Sequence, residues 1–169
     1  PEEFKAAAEA FSQVELPWVG TMSFDTAGRT MMGTTPATMV ELISSIPNKP
    51  IAFGANCGTG APDLLRTVQD FAKSSPSSIL IAKGNAGIPK YVDGHILYDG
   101  TPELMAKYAV MARNSGAKII GGCCGTKPEH LRSMRAALEC EVIGSVPSLE
   151  QVELEIGPFS SEIRKEIKG

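Results

Sequence analysis

Short apolar runs alternate with amphipathic stretches along most of the chain, and a glycine-rich loop separates many of them. The apolar runs lie at about residues 17–24, 50–55, 78–83 and 117–121. After each run, apolar residues recur at the three- and four-residue spacing that is typical of a helix with one buried face. Strands that alternate with helices predict a parallel sheet, and strands that are apolar throughout predict that both faces are covered. We therefore expect an α/β fold built from βα units.

Helix starts are marked by a capping residue that is followed by proline. Thr35 with Pro36, and Thr101 with Pro102, have this arrangement. The threonine oxygen can accept a hydrogen bond from a free helix N–H group, and the fixed φ of proline suits the first helical position. Pro62 is expected to begin the helix between these two.

Four βα units with parallel strands suit either a small doubly wound sheet or half of a (β/α)8 barrel. In both folds the ligand site lies at the carboxyl ends of the strands. Cys57 follows the second predicted strand, and Cys123 and Cys124 follow the fourth. The three thiols are therefore expected at one edge of the sheet.

Three thiols that converge at one edge resemble a zinc site. Zinc takes sulfur ligands at about 2.3 Å, usually four in a tetrahedron, so three protein ligands leave one position open. Gly122 and Gly125 flank the adjacent pair and would let the backbone bend, so that two successive side chains reach one ion. The alternative is that Cys57 is a small buried hydrophobe and the pair is a redox-reactive turn. Cys140, at the end of a helix, is expected to be structural.

Composition narrows the choice of partner and compartment. The chain has 169 residues, of which 43% are hydrophobic and 21% charged, as in an ordinary soluble domain. The net charge of −3 and the scattered basic residues give no reason to expect nucleic acid or a membrane surface as a partner. There are four cysteines and no signal-peptide pattern, so we expect a cytoplasmic setting in which clustered thiols bind metal or do chemistry.

The loops that carry the cysteines resemble the homocysteine S-methyltransferase family. GANCGTG at residues 54–60 is similar to the G-x-N-C motif of that family, and IIGGCCGTKPEHL at residues 119–131 is similar to its G-G-C-C-G motif. GNAG at residues 84–87 is similar to P-N-A-G, with Gly84 in place of the usual proline. SFDTAGRTMMGTT at residues 23–35 is most similar to the cobalamin-dependent methionine synthase branch.

The resemblance implies a (β/α)8 barrel, of which this sequence matches only strands five to eight. Residues 1–146 are expected to form that half-barrel, and residues 147–169 a charged tail that is partly ordered at best. The chain opens without methionine, in a helical pattern, so we expect it to be a piece of something longer. Half a barrel exposes strand edges and part of its apolar interior, so we expect it to associate with a missing amino-terminal half or with a second copy of itself.

The resemblance also implies an activity: zinc-dependent transfer of a methyl group to homocysteine, which gives methionine. Cys57, Cys123 and Cys124 would be the zinc ligands. A free thiol, with a pKa of about 8.5, is mostly protonated at neutral pH and needs activation. Methylcobalamin, supplied by another domain or protein, is the favoured methyl donor, with betaine and S-methylmethionine as alternatives. The rival interpretation is a catalytically inactive zinc-binding or redox-sensing half-barrel fragment.

Other polar residues have open roles. Asn56 and Asn85 fall at family motif positions near strand ends, where they either contact substrate or position loops. Asp25 is expected to cap a turn, with support of the site as the alternative. His95 and His130 are alternative metal ligands in principle, but His95 is expected in a long polar loop and His130 on the solvated surface.

Overall fold

The structure, a computed structural model, describes residues 2–25 and 27–160, and these contain the predicted alternation of strands and helices. The strands are β1 (Val19–Met22), β2 (Ala52–Cys57), β3 (Leu80–Gly84), β4 (Pro89–Val92), β5 (His95–Tyr98) and β6 (Ala117–Gly122). The helices are α1 (Glu2–Phe11), α2 (Pro36–Ser45), α3 (Ala61–Ser74), α4 (Pro102–Asn114), α5 (Pro128–Cys140) and α6 (Leu149–Ile156). None of these helices has the length and apolar character needed to cross a membrane.

The main sheet is parallel and has the strand order β1–β2–β3–β6. Its strands therefore stand side by side in the order in which they occur along the chain. A doubly wound sheet reverses its strand order at a switch point, whereas a (β/α)8 barrel does not. The order confirms the predicted α/β fold class and favours half of a barrel over a doubly wound sheet.

The register of the sheet brings the ends of three strands into one row. Cys57 pairs with Gly84, and Gly84 pairs with Gly122. Asn85 and Cys123 follow directly after the last two of these residues. Cys57, Asn85 and Cys123, which the sequence places on three separate loops, are therefore neighbours at the carboxyl edge.

Helix starts follow the predicted capping pattern. The Thr35 hydroxyl accepts a hydrogen bond from the Thr38 backbone N–H at 3.1 Å, and the Thr101 hydroxyl accepts one from the Leu104 N–H at 3.2 Å. In both helices proline occupies the first turn. These caps set where α2 and α4 begin, and so how long the loops at the carboxyl edge are.

The core lies between the sheet and its helices. Phe71 of α3 packs edge-on against Phe24 and Phe53, with ring centroids 5.5 and 5.7 Å apart. A smaller cluster lies under α1, where Phe11 stacks on Trp18 at a centroid distance of 5.2 Å. The helices thus pack against the sheet and bury the side chains of its central strands.

The edges of the sheet are not buried to the same degree. Val19 on β1 and Ile119 on β6 are 51% and 42% exposed, although both belong to apolar strands. The expectation that both faces of every strand are covered is therefore wrong for the described residues. Open outer strands are what half a barrel leaves when nothing continues the sheet on either side.

The long connection after β3 contains a hairpin that the sequence analysis treated as a loop. Strands β4 and β5 pair antiparallel across a turn at Asp93 and Gly94. Both turn residues have positive φ, +48° and +80°, as a type I′ turn requires. An Asp-Gly pair between apolar residues is a recognised hairpin signal, so this element was predictable.

The segment after residue 146 is more ordered than expected. Helix α6 lies within it, and its Val152 and Ile156 are only 0% and 5% exposed and belong to the main core. Farther on, the Ser160 backbone N–H donates to the Asp63 carboxylate of α3 at 2.9 Å. The expectation of partial order at best is wrong up to residue 160. The residues beyond lie outside the described part, and the domain boundary at residue 146 stays a prediction.

Candidate metal centre

The three clustered thiols lie at the carboxyl edge, as predicted. Cys57 is the last residue of β2 and has a φ of +58°, a left-handed conformation that costs a non-glycine residue roughly 1–2 kcal/mol. Cys123 follows β6, and its backbone N–H donates to the Gly84 carbonyl at 2.7 Å. Cys124 comes next and is the exposed member, whereas the other two thiols are half-buried. Two strand ends and one strained residue therefore bring the sulfurs together.

The separation of the sulfur atoms fits a single metal ion. The Cys57 and Cys124 Sγ atoms are 3.6 Å apart, and those of Cys123 and Cys124 are 4.0 Å apart. All three Sγ atoms lie within 4.8 Å of one another. Tetrahedral ligands at 2.3 Å from zinc stand about 3.8 Å apart. The observed spacing and the all-sulfur donor set therefore match what zinc requires.

Without metal, the thiols differ in acidity. Burial, followed by hydrogen bonds with Cys124 and Cys123, raises the pKa of Cys57 to about 11. Hydrogen bonds from Cys57 and then from Tyr98 lower the pKa of Cys124, because they stabilise its thiolate. Of these two thiols, Cys124 is therefore the more acidic, and Cys57 is the proton donor in the bond between them.

Asn85 links the two loops that carry the cysteines. Its buried side chain donates through Nδ2 to the Gly58 carbonyl at 3.0 Å and accepts through Oδ1 from the Cys124 N–H at 3.2 Å. Both ends of the amide are therefore engaged in holding loops. These bonds favour the loop-positioning alternative, while substrate contact by Asn85 stays a prediction.

Asn56 also makes a contact between elements. Its Nδ2 donates to the Ser23 hydroxyl at 3.3 Å and so ties β2 to the segment after β1. Asp25, in that same segment, is half-buried and does not belong to the thiol cluster. A substrate contact of Asn56 stays a prediction as well.

Tyr108 of α4 binds the backbone of the two strands that end at the thiol cluster, a role that the sequence did not indicate. The ring is fully buried, and the hydroxyl accepts from the Gly84 N–H at 2.9 Å and donates to the Gly121 carbonyl at 3.4 Å. Burial raises the pKa of Tyr108 far above its ordinary value. The hydroxyl thus joins the ends of β3 and β6, but its sequence position, within an apolar helix stripe, suggested only packing.

Tyr98 is the second residue that the sequence analysis missed. It ends β5, and its ring covers Gly125, where an added Cβ would overlap the Cβ and Cγ atoms of the tyrosine. Burial, followed by the nearby Cys124 thiol, raises the pKa of Tyr98. The hairpin therefore packs on the glycine that follows the Cys123–Cys124 pair.

The histidines do not join the cluster. His130 is buried, not solvated as expected: its Nδ1 accepts from the Lys127 N–H and its Nε2 donates to the Gly100 carbonyl, both at 2.9 Å. His95 is exposed in the hairpin, and Cys140 is exposed at the end of α5. The only group of three or more potential ligands among the described residues is the thiol cluster.

A parallel sheet in sequence order, with a thiol cluster at its carboxyl edge, is the arrangement of half a (β/α)8 barrel whose three cysteines could hold a metal ion. The sequence model of the homocysteine S-methyltransferase family matches residues 1–138, and the chain belongs to this family.

Solved structures show the same fold. Crystal structures of the homocysteine methyltransferase MmuM from Escherichia coli, in an oxidized and an apo form, each superpose with a TM-score of 0.62. The oxidized form is 23% identical over 79% of this chain and 41% of the MmuM chain. The apo form is 22% identical over 80% of this chain and 44% of the MmuM chain. The chain thus spans less than half the length of these relatives.

Proposed function

We propose that the chain is the metal-binding half of an enzyme that transfers a methyl group to the thiol of homocysteine and so forms methionine. The observation that carries this proposal is the cluster of Cys57, Cys123 and Cys124, with sulfurs at zinc-like spacing, in a chain of the homocysteine S-methyltransferase family. These three cysteines would hold the zinc ion. Zinc bound there would keep an incoming thiol deprotonated and nucleophilic at neutral pH.

The residues of the chain itself prepare the ligand set. Asn85 fixes the loop after Cys57 to the backbone of Cys124, and Tyr108 fixes the strand ends beneath them. Three thiolates carry more negative charge than a divalent ion neutralises. The ligand set therefore leaves electron density available to a fourth sulfur, which a histidine-rich set would withdraw.

The methyl donor and the partners follow from the resemblance and from the length of the match. Methylcobalamin, presented by another domain or protein, is supported by the similarity of the loop at residues 23–35 to the methionine synthase branch. A second half-barrel or a second copy of the chain is supported by the short match to MmuM and by the exposed edge residues Val19 and Ile119. Free thiols, including that of Cys140, favour a reducing, cytoplasmic setting.

Metal analysis of cysteine variants tests the ligand assignment. We expect the wild-type chain to retain about one zinc per chain and Cys124→Ser to lose it, because two thiolates bind zinc far more weakly than three. Cys140→Ser is the matched control: it removes an exposed thiol outside the cluster and should retain zinc. Stoichiometric zinc in Cys124→Ser would contradict the assignment.

Methyl transfer tests the activity. The chain, combined with its partner half, should convert homocysteine to methionine with methylcobalamin, and more slowly with betaine or S-methylmethionine.

A specific observation favours one rival function, a redox sensor: the Cys57 and Cys124 sulfurs are only 3.6 Å apart, and Cys124 is exposed. A chain that binds zinc, never binds homocysteine and forms a Cys57–Cys124 disulfide under mild oxidation would support that rival.

A further inference from the structure

A short loop joins Cys57 to helix α3, and its conformation decides where the Cys57 sulfur points. Cys57 and Gly58 both have positive φ, +58° and +77°. A cysteine seldom adopts this left-handed conformation, so contacts of the loop must keep it there. Asn85 binds the Gly58 carbonyl, and the Thr59 hydroxyl donates to Asp63 Oδ2 at 3.1 Å. The loop therefore has two side-chain anchors, Asn85 and Asp63.

Asp63 is a buried carboxylate with a partner at each oxygen. Its side chain is 4% exposed, and Arg66 Nη2 donates to Oδ1 at 2.7 Å. Oδ2 accepts from the Thr59 hydroxyl and from the Ser160 backbone N–H, at 3.1 and 2.9 Å. A buried carboxylate needs such partners, because the loss of hydration is costly unless the charge is paired and hydrogen-bonded. One carboxylate oxygen thus joins the loop after Cys57 to the chain at residue 160.

The segment that brings Ser160 to Asp63 is itself packed in place. Phe159 is 7% exposed and belongs to the main core. The Arg66 guanidinium lies over the Phe159 ring, 5.0 Å from its centroid. The same arginine therefore binds the Asp63 carboxylate and covers the ring next to Ser160. Because two fixed segments hold the carboxylate, it can act as a firm anchor for the Thr59 hydroxyl.

A second ion pair on α3 has the same spacing and gives a natural comparison. Asp70 and Lys73 are also three residues apart and 3.3 Å from each other, but their side chains are 47% and 75% exposed. Exposed pairs of this kind contribute little to stability. A carboxylate in the first turn of α3 would stabilise that helix without any contact to Thr59 or Ser160. The bonds of Asp63 to these two residues therefore call for a role outside the helix.

We propose that Asp63 is a positioning residue of the metal centre, which holds the loop after Cys57 through the Thr59 hydroxyl and couples that loop to residues 159–160. The inference rests on the proposed function in one respect, namely that the three cysteines hold a metal. The bonds of the Asp63 carboxylate go to Thr59, Arg66 and Ser160, none of which is a proposed ligand. Groups that orient metal ligands raise metal affinity, because the ligands are already arranged when the metal arrives.

Variants of Thr59 and Asp63 test the inference. Thr59→Val removes the hydroxyl and keeps the branched shape, whereas Thr59→Ser keeps the hydroxyl. Asp63→Asn keeps the shape of the side chain but removes its charge and one acceptor oxygen. Asp70→Asn is the matched control, because it makes the same change on the same helix in the exposed pair. Zinc affinity is measured by competition with a chelator, and cobalt(II) absorption reports how the sulfur ligands are arranged.

We expect Thr59→Val to lose roughly 10-fold in zinc affinity, within the range found when groups that orient metal ligands are removed. Its cobalt(II) ligand-field bands should shift and broaden, because Cys57 is no longer held in one orientation. Thr59→Ser and Asp70→Asn should match the wild type in both measurements. Since Asp63 acts through Thr59, Thr59→Val combined with Asp63→Asn should lose no more affinity than Asp63→Asn alone.

Several outcomes would overturn the inference. If Thr59→Val matches the wild type in affinity and cobalt bands, the inference is wrong while the metal site stands. Equal losses in Thr59→Val and Thr59→Ser would mean that the hydroxyl is not the anchor. A lower Tm of the metal-free Thr59→Val chain with an unchanged cobalt spectrum would mean that the contact serves folding alone. If Asp63→Asn does not fold, the two Thr59 variants decide the question by themselves. If the wild type binds neither zinc nor cobalt, the proposed function fails and the inference with it.

Discussion

Removal of one hydroxyl beneath the site should measurably destabilise the fold. Tyr108→Phe keeps the buried ring but deletes the oxygen that joins the Gly84 N–H to the Gly121 carbonyl. Gly84 is itself buried, so water cannot replace the lost partner. The substitution therefore isolates a hydrogen bond from the packing around it.

The expected cost follows from the two bonds. A buried donor left without an acceptor costs about 1–3 kcal/mol, and the Gly84 bond, at 2.9 Å, is the strong one. The bond to Gly121 is longer, 3.4 Å, and contributes less. We expect a loss of about 2 kcal/mol in the free energy of unfolding. For a chain of this size, that corresponds to a fall in Tm of about 4–8 °C.

Urea and thermal unfolding of the metal-free chain measure this cost. Tyr91→Phe, the same change at an exposed ring, should stay within about 0.5 kcal/mol of the wild type. A Tyr108→Phe chain as stable as the control would refute the reasoning, because it would mean that the ends of β3 and β6 do not depend on the tyrosine hydroxyl.

Two further predictions concern α6 and the thiols. Val152→Ala should cost about 2 kcal/mol of unfolding free energy, at about 0.8 kcal/mol per buried CH₂ plus a term for the cavity. Leu154→Ala, on the exposed side of α6, should leave the free energy of unfolding nearly unchanged. If urea unfolding gives equal effects for the two variants, α6 does not belong to the core. In the metal-free chain at pH 7–8, iodoacetamide should alkylate Cys124 before Cys57, because the pKa of Cys124 is lowered and that of Cys57 is raised to about 11. Because folding raises the pKa of Cys57, its contribution to stability is present below the ordinary thiol value of 9.0 and is lost as the pH rises through about 11. Mass spectrometry of timed samples gives the order, and equal rates for the two cysteines would contradict it.

The position of the thiol cluster could be predicted because it depends on topology. The carboxyl ends of parallel strands share one edge, so Cys57 and the Cys123–Cys124 pair had to meet once the strands were recognised. The distance between them could not be predicted. It depends on the left-handed conformation of Cys57 and on the pairing of Cys57 with Gly84 across the sheet. The spacing of hydrophobic residues predicts neither of these features.

Two expectations were wrong: that His130 is solvated and, up to residue 160, that the chain after residue 146 is at best partly ordered. His130 follows a proline and a glutamate and so looks solvated, yet its Nε2 donates to Gly100, 30 residues away. In α6, glutamates alternate with apolar residues, and the overall charge suggested a loose tail. The four-residue spacing of Val152 and Ile156, which places both on one helix face, was the better signal.

The one departure from the family motifs, Gly84 in place of proline, has a physical reason in this fold. The Gly84 N–H donates to the Tyr108 hydroxyl, and proline has no N–H to give. A Cβ at this position would also lie 3.0 Å from Cζ of the tyrosine ring, closer than ordinary van der Waals contact. The residues at positions 84 and 108 are therefore coupled, because the tyrosine hydroxyl binds an N–H that proline lacks and the ring leaves little room for a Cβ. Gly84 and Tyr108 are 24 residues apart in the sequence, yet this bond joins them directly beneath the thiols, next to the loop of Asn85.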